Sequence, residues 1–479
     1  MGITHYACYV NITMCSDFPH DITIARLPNK ELYNDTTFLL VCQSFYLVYV
    51  IIYINMIFKN SVLLAIFSML SVLLGIVRDR LLSTHVGVGP ILDIYNASFR
   101  LPDFLYAMSL AFVTAGTVVP FLTIENKSGN VIDSRHRLSS ISLFFAGVAS
   151  LVGLFIVVTI PFYAHLIVPG FTAEQTVTFI NVTRILMIQP ILLGITSLIS
   201  CFAQMKNHFV LYGIAPLGYS LGIIGGIIYL YPIYGVHGLI YGVIIGAIIS
   251  FCIQLYSLRG TKFIEVLPYF SFKHIKELFR LSFPRTGVNV LTQLRTIFFT
   301  AFATTLGPGA LSSYLFAQRI TDAVTQIIQQ SITTASLPVL SKEFVENRIH
   351  EYRRVVKQYV IILGAIGFFA SVTIYSLQDI FITILYGNTP AHDLIAFFLV
   401  GFLIALPLQM MIGYYSISLY SAKDTKSVFY SNFISTLVAV FACYSTQQLG
   451  NISLVYGVIA MTVSNFVVIS LLYTKKRLL

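Results

Sequence analysis

Charge is what this sequence has least of. Of its 479 residues only 10% are Asp, Glu, Lys or Arg, while 57% are hydrophobic and the mean hydropathy is +0.83. Soluble domains carry charge on roughly a quarter of their residues, so an ordinary soluble fold is excluded and the bilayer is the solvent. Cysteine is sparse too. Cys8, Cys15, Cys42, Cys201, Cys252 and Cys443 are scattered, with no CxxC pair and no Cys/His cluster, which argues against a disulfide framework or a thiolate metal site. No GxxxxGK[ST] phosphate loop occurs, so ATP-driven transport by this chain is not expected. Its ten histidines and 19 acids form no HExxH, nucleophile elbow or carboxylate pair, leaving no visible machinery for hydrolysis. The expectation is a transporter and not an enzyme, without a cofactor.

Long apolar runs take the place of charge. About 20 apolar residues cross a hydrocarbon core of roughly 30 Å. Windows of that kind fall near 60–82, 91–121, 138–162, 176–203, 209–231, 235–257, 284–305, 310–338, 358–377, 394–420, 427–449 and 452–473. They are too long for strands of a membrane barrel and lack its period-two alternation. The expected fold is an all-α integral membrane protein of about 12 core helices. Lysine and arginine gather in alternate connections, near 122–137, 204–208, 258–283, 339–357 and 421–426, and in the C-terminal tail. Cytoplasmic loops are enriched in these residues, so both ends of the core are predicted cytoplasmic, with Arg78 and Arg80 as the exceptions. The formal charge of +10 is thereby an orientation signal and not a nucleic-acid footprint.

The two halves of the chain repeat each other. Pro90 and Pro120 precede Pro308 and Pro338 by 218 residues, and the RxxD pair Arg100/Asp103 precedes Arg319/Asp322 by 219. Gly170, Pro190 and Lys206 precede Gly387, Pro407 and Lys423 by 217. Duplicated hydrophobic units are a common transporter plan, with the substrate site between the repeats. The expected division is an N-lobe at 59–260, an interfacial amphipathic linker at 261–283 and a C-lobe at 284–479. Residues 1–58 stand outside the repeat. Their apolar run at 38–58 is either an extra N-terminal helix, with the N-terminus outside, or lies mostly ahead of a translation start at Met56.

Ionisable residues inside the apolar windows are the candidates for function: Arg78, Asp79, Asp93, Arg100, Asp103, Arg184, Arg285, Arg295, Arg319 and Asp322. A central arginine costs about 2.5–3.5 kcal/mol on insertion scales, so these must face a polar interior. Two readings stand side by side. Arg100 with Asp103 and Arg319 with Asp322 are spaced i,i+3 and can neutralise each other on one helix face. Alternatively they line a wet cavity whose guanidinium forks suit phosphate or pyrophosphate oxygens. Pro102, close to Arg100, is expected to loosen a turn there, either as a hinge or as a packing kink.

The GIVRD segment at 75–79, GVGP at 87–90, Asp93 and ASFRLP at 97–102 resemble the N-terminal signature of the MurJ/MviN lipid II flippases. The likeness continues through PGF at 169–171, YLFAQR at 314–319, LPVLS at 337–341 and LYSAKDT at 419–425. More loosely it extends to the wider superfamily of multidrug exporters and polysaccharide flippases. The resemblance implies a V-shaped, two-lobed transporter. It would carry an undecaprenyl-pyrophosphate-linked peptidoglycan precursor across the bacterial cytoplasmic membrane by alternating access. Cavity arginines would bind the pyrophosphate, here Arg78 and Arg319 by motif and Arg100 by its place in the repeat. Asp79, Asp93, Asp103, Asp322 and Arg295 would support the site or couple a monovalent ion. Lipid II or a related prenyl-pyrophosphate-linked glycan and membrane lipids are the implied partners, with no nucleic acid and a monomer as the working unit. The chain departs from the family pattern where Val72, Tyr106 and Ala107 replace arginines and Gln318 replaces an acid. The family also carries two further helices after the twelfth, which the sequence up to Leu479 does not contain. A polysaccharide-lipid flippase and a cation-coupled exporter are the alternatives; the second would lose transport when Asp79 or Asp93 becomes Asn.

Overall fold

A helix survives in hydrocarbon because it satisfies its own backbone, and helix is the only regular structure among the described residues. The computed structural model describes residues 62–113, 131–205, 208–259, 270, 272–422 and 424–475. The apolar run at 38–58 and the first half of the expected linker lie outside them. In chain order the N-lobe holds α1 (Val62–Val86), α2 (Pro90–Ser98), α3 (Arg100–Val113), α4 (Val131–Ile167), α5 (Ala173–Leu186), α6 (Ile188–Met205), α7 (Phe209–Tyr234) and α8 (Val236–Tyr256). The C-lobe holds α9 (Phe272–Thr304), α10 (Ala310–Val345), α11 (Ile349–Ser376), α12 (Gln378–Tyr386), α13 (His392–Ser421), α14 (Thr425–Ser445) and α15 (Asn451–Tyr473).

Nine stretches among the described residues are long and apolar enough to cross a membrane. The three expected windows missing from that set are carried by α2 with α3, by α9 and by α10. These helices hold Asp93, Arg100, Asp103, Arg295, Arg319 and Asp322. They face the interior between and within the lobes, where helices α3 and α9 pack across the divide and α2 meets α10.

Proline explains where the halves differ. Pro102 cannot accommodate the Ser98 carbonyl four residues back, and the N-lobe helix breaks between Ser98 and Arg100. Its counterpart in the repeat is Thr321, and α10 runs unbroken for 36 residues. Pro190 likewise accompanies the break at Met187 between α5 and α6, whereas Pro407 sits inside the continuous α13.

Helices α7 and α8 pack through glycines spaced four apart. A side chain on Gly222 or Gly226 would strike the backbone of Gly246 or Gly242. Such small-residue seams bring two membrane helices to backbone contact. In the C-lobe the core is aromatic: Tyr314 stacks on Phe299 at 6.0 Å and meets Phe398 and Phe402 at 5.9 and 5.2 Å.

Candidate functional site between the lobes

Asp79, near the end of α1, is shared by guanidiniums from both halves of the molecule. Its Oδ1 lies 2.9 Å from Arg78 and 2.7 Å from Arg319 on α10, so the charge motif of one lobe meets that of the other at a single carboxylate. The pair is not sealed. Side-chain exposure is 25% for Arg78 and 35% for Arg319 but 13% for Asp79, so the arginines are more exposed than the acid they share. Arg319 also lies over the Phe316 ring, 5.6 Å from its centre, an arrangement that holds the guanidinium plane.

Arg100 and Asp103 join this cluster from the broken start of α3. Despite their i,i+3 spacing they close no ion pair, and the Arg100 Nε is buried without a hydrogen-bond partner. Both feel Arg319 electrostatically. Tyr95, buried on α2, senses Arg78, Arg319, Asp79 and Asp103 together and therefore sits among them. Three guanidiniums stand with two carboxylates, so the cluster is cationic.

Asp93 has a different place. Its carboxylate accepts the Gly309 N–H at 2.6 Å, the Ser312 N–H at 2.8 Å and the Ser312 hydroxyl at 2.6 Å, capping α10 from the opposite lobe. A carboxylate at a helix N-terminus satisfies orphan amides and meets the positive end of the dipole. Asn96 adds a bond to the same hydroxyl at 3.0 Å. Asp93 and Ser312 are 219 residues apart, the register of the RxxD pairs. Positions related by a pseudo-twofold touch only near its axis, so this capped turn marks the axis.

Around it the lobes dock reciprocally, at the end away from the Lys/Arg-rich connections. Gly170 donates to the Thr304 hydroxyl at 3.3 Å, and a side chain there would strike the backbone of Thr304 and Thr305. Gly387, its repeat mate, has φ of 73° and lies against the methyl of Thr84. Arg80 closes the same end by donating to the Ile384 carbonyl at 2.6 Å. The described structure is thus shut at this end.

Arg295 and Asp322 lie elsewhere, inside the C-lobe, on the wall of a chamber of about 330 Å³ with Gln318 beside them. Tyr314 borders it. The sequence-predicted residues therefore fall into three places: Arg78, Asp79, Arg100, Asp103 and Arg319 together, Asp93 at the axis, and Arg295 with Asp322 in the chamber. Arg184 is structural, donating to the Val157 carbonyl at 3.0 Å; the side chain of Arg285 is outside the described set. Tyr106, at a position where the family has arginine, bonds Ser197 at 3.1 Å. Tyr95, Tyr314 and Thr304 carry no signal in the sequence. Ser312 does, through its register with Asp93.

Known proteins share both the sequence pattern and the fold. The profile of the family described as Lipid II flippase MurJ matches residues 82–479. The lipid II flippase MurJ of Burkholderia cenocepacia is 25% identical over 300 residues, covering 60% of this chain and 57% of that protein. The chain thus spans little more than half the length of that relative. A probable lipid II flippase MurJ of Rhizobium tropici is 22% identical, over 74% of this chain and 68% of its own. Among solved structures, lipid II flippase MurJ in an inward closed conformation superposes with a TM-score of 0.71 at 20% identity, covering 87% of each chain. An inward-facing multidrug resistance MATE transporter of the MOP superfamily gives 0.69 at 16% identity, over 88% of this chain and 98% of that one. Matched by this profile over most of its length, the chain belongs to the lipid II flippase MurJ family.

Proposed function

We propose that this protein flips a prenyl-pyrophosphate-linked peptidoglycan precursor, lipid II or a close relative, across the bacterial cytoplasmic membrane. The observation that carries this reading is the shared carboxylate: two guanidiniums from opposite lobes converge on Asp79, with Arg100 unpaired beside them. A pyrophosphate cannot cross hydrocarbon unaided, since burying an ion without partners is prohibitive. A cluster with more guanidiniums than carboxylates offers it bidentate partners, while the prenyl tail stays in lipid.

Asp79 acts as a placeholder anion. It holds Arg78 and Arg319 in position while the cavity is empty, and an entering pyrophosphate competes for the same forks. With the dock around Asp93 shut, the cluster is reached from the basic, cytoplasmic side, and both ends of the helical core lie there. Headgroup binding draws the lobes together on the Arg319 side and releases the dock, opening the site outward. Each lobe contributes to one cluster, so a single chain is a sufficient working unit.

Arg100→Ala and Arg319→Ala are expected each to abolish complementation of a flippase-depleted bacterium while membrane insertion stays normal. Loss of one charge-assisted contact of about 1.5–3 kcal/mol corresponds to roughly 10- to 100-fold weaker headgroup binding. Leaflet-resolved detection of lipid II in the same cells reads the activity directly. Full complementation by both variants would overturn the assignment.

A further inference from the structure

The C-lobe chamber holds one positive and one negative group that attract each other yet close no ion pair. Arg295 on α9 and Asp322 on α10 both line it. Arg295 is half-buried and Asp322 exposed, and both line the space, so both charges are offered to whatever occupies it. At about 330 Å³ the space exceeds what a few waters fill, at roughly 30 Å³ each. Its walls supply further unused capacity. The Asn465 Oδ1 is buried without a partner. Asn432 commits its amide N–H to the Val428 carbonyl at 2.8 Å, which leaves its oxygen as an acceptor. Acceptors therefore gather with Asp322, and the fork of donors is Arg295.

We propose that this chamber binds an amino-acid zwitterion, its carboxylate on Arg295 and its ammonium on Asp322 and Asn465. A simple anion would face Asp322 unshielded, and an alkali cation would face Arg295; a zwitterion satisfies both. The chemistry is shared by free amino acids and by a peptide side chain that carries both a free ammonium and a free carboxylate on a lipid headgroup. For the second source the inference rests on the proposed function, since Gln318 on the chamber wall is the chain neighbour of Arg319 in the cluster.

The test uses the full chain in nanodiscs and calorimetry with D-alanine, acetate, methylammonium and sodium chloride. D-Alanine is expected to bind, while acetate and methylammonium bind at least tenfold more weakly. Arg295→Gln and Asp322→Asn should each weaken D-alanine at least tenfold, Arg295→Lys should restore part of it, and Arg348→Gln, on an exposed loop, should change nothing. Acetate binding as tightly as D-alanine would make this an anion site and overturn the proposal. So would sodium binding that Asp322→Asn removes, or no D-alanine binding at all. A second arm compares flipping of precursor with and without its peptide in proteoliposomes. Slower flipping by Arg295→Gln for the peptide-bearing lipid alone assigns the headgroup as source; equal rates assign the free amino acid. The calorimetry contains no lipid precursor, so its failure is distinct from failure of the flippase reading.

Discussion

A single carboxylate, Asp79, sets the resting state of the cluster. It spends its charge on Arg78 and Arg319 at 2.9 and 2.7 Å, the groups that the proposed function gives to a substrate phosphate. Removing that charge by Asp79→Asn is expected to tighten binding of an anionic headgroup roughly tenfold, the effect of about 1.4 kcal/mol, and to slow its release. Binding and single-turnover flipping in proteoliposomes separate the two effects; weaker binding would show that Asp79 orients the arginines without competing. Arginines and acids in apolar runs are legible because hydrocarbon penalises them. Their pairing is not. Spacing puts Arg319 and Asp322 on one helix face, yet one turns to the N-lobe and the other into the C-lobe chamber. A tyrosine in an apolar helix reads as core, so Tyr95 and Tyr314 stay hidden until the fold surrounds them with charge.

Helices carry the conformational logic. The breaks at Phe99 and Met187 follow from Pro102 and Pro190, and the repeat lacks the matching breaks because Thr321 replaces one proline and α13 absorbs the other. Breaks of this kind are readable from residue type; which proline breaks a helix and which is absorbed depends on the neighbours. The reciprocal docks at Gly170 and Gly387 need close backbone approach across the lobes. Gly170→Ala with Gly387→Val should disfavour closure by an overpacking cost of about 1–3 kcal/mol, shifting the closed population roughly 5- to 150-fold. Spin-label distances across that end would lengthen in the variant; unchanged distances would show the docks to be incidental. Asp93→Ala should act in the same direction by about 1 kcal/mol, the usual worth of a helix cap, and its melting curve would show whether the fold survives.

Taken as a whole molecule, the protein divides its polarity unevenly. Lys/Arg-rich connections mark one end and the interlobe dock the other, so closure at the dock leaves access from the basic side. Sidedness is testable in a chain whose own cysteines are replaced by serine. His350→Cys, on the basic side and 91% exposed, should react with an impermeant thiol reagent only from the cytoplasm. Asp393→Cys, at the dock end and fully exposed, should react only from outside. The opposite pattern would invert the access direction proposed for the cluster. Helices α3 and α9 pack on each other across the divide and α2 meets α10 there, which relieves these ionisable spans of meeting lipid.

The sequence by itself determined the solvent, the helical class, the duplication and the ionisable residues that had to be sheltered. Each of these follows from local composition and spacing, because hydrocarbon penalises every exposed charge and unpaired backbone group wherever it falls. Only the tertiary structure decided that Asp79 joins Arg78 to Arg319, that Asp93 caps a helix of the other lobe, and that Arg295 and Asp322 share a chamber apart from the cluster. The first two partnerships join side chains more than 200 residues apart and are set by how the two lobes meet, while the third is set by how helices pack within the C-lobe, and none follows from a local preference.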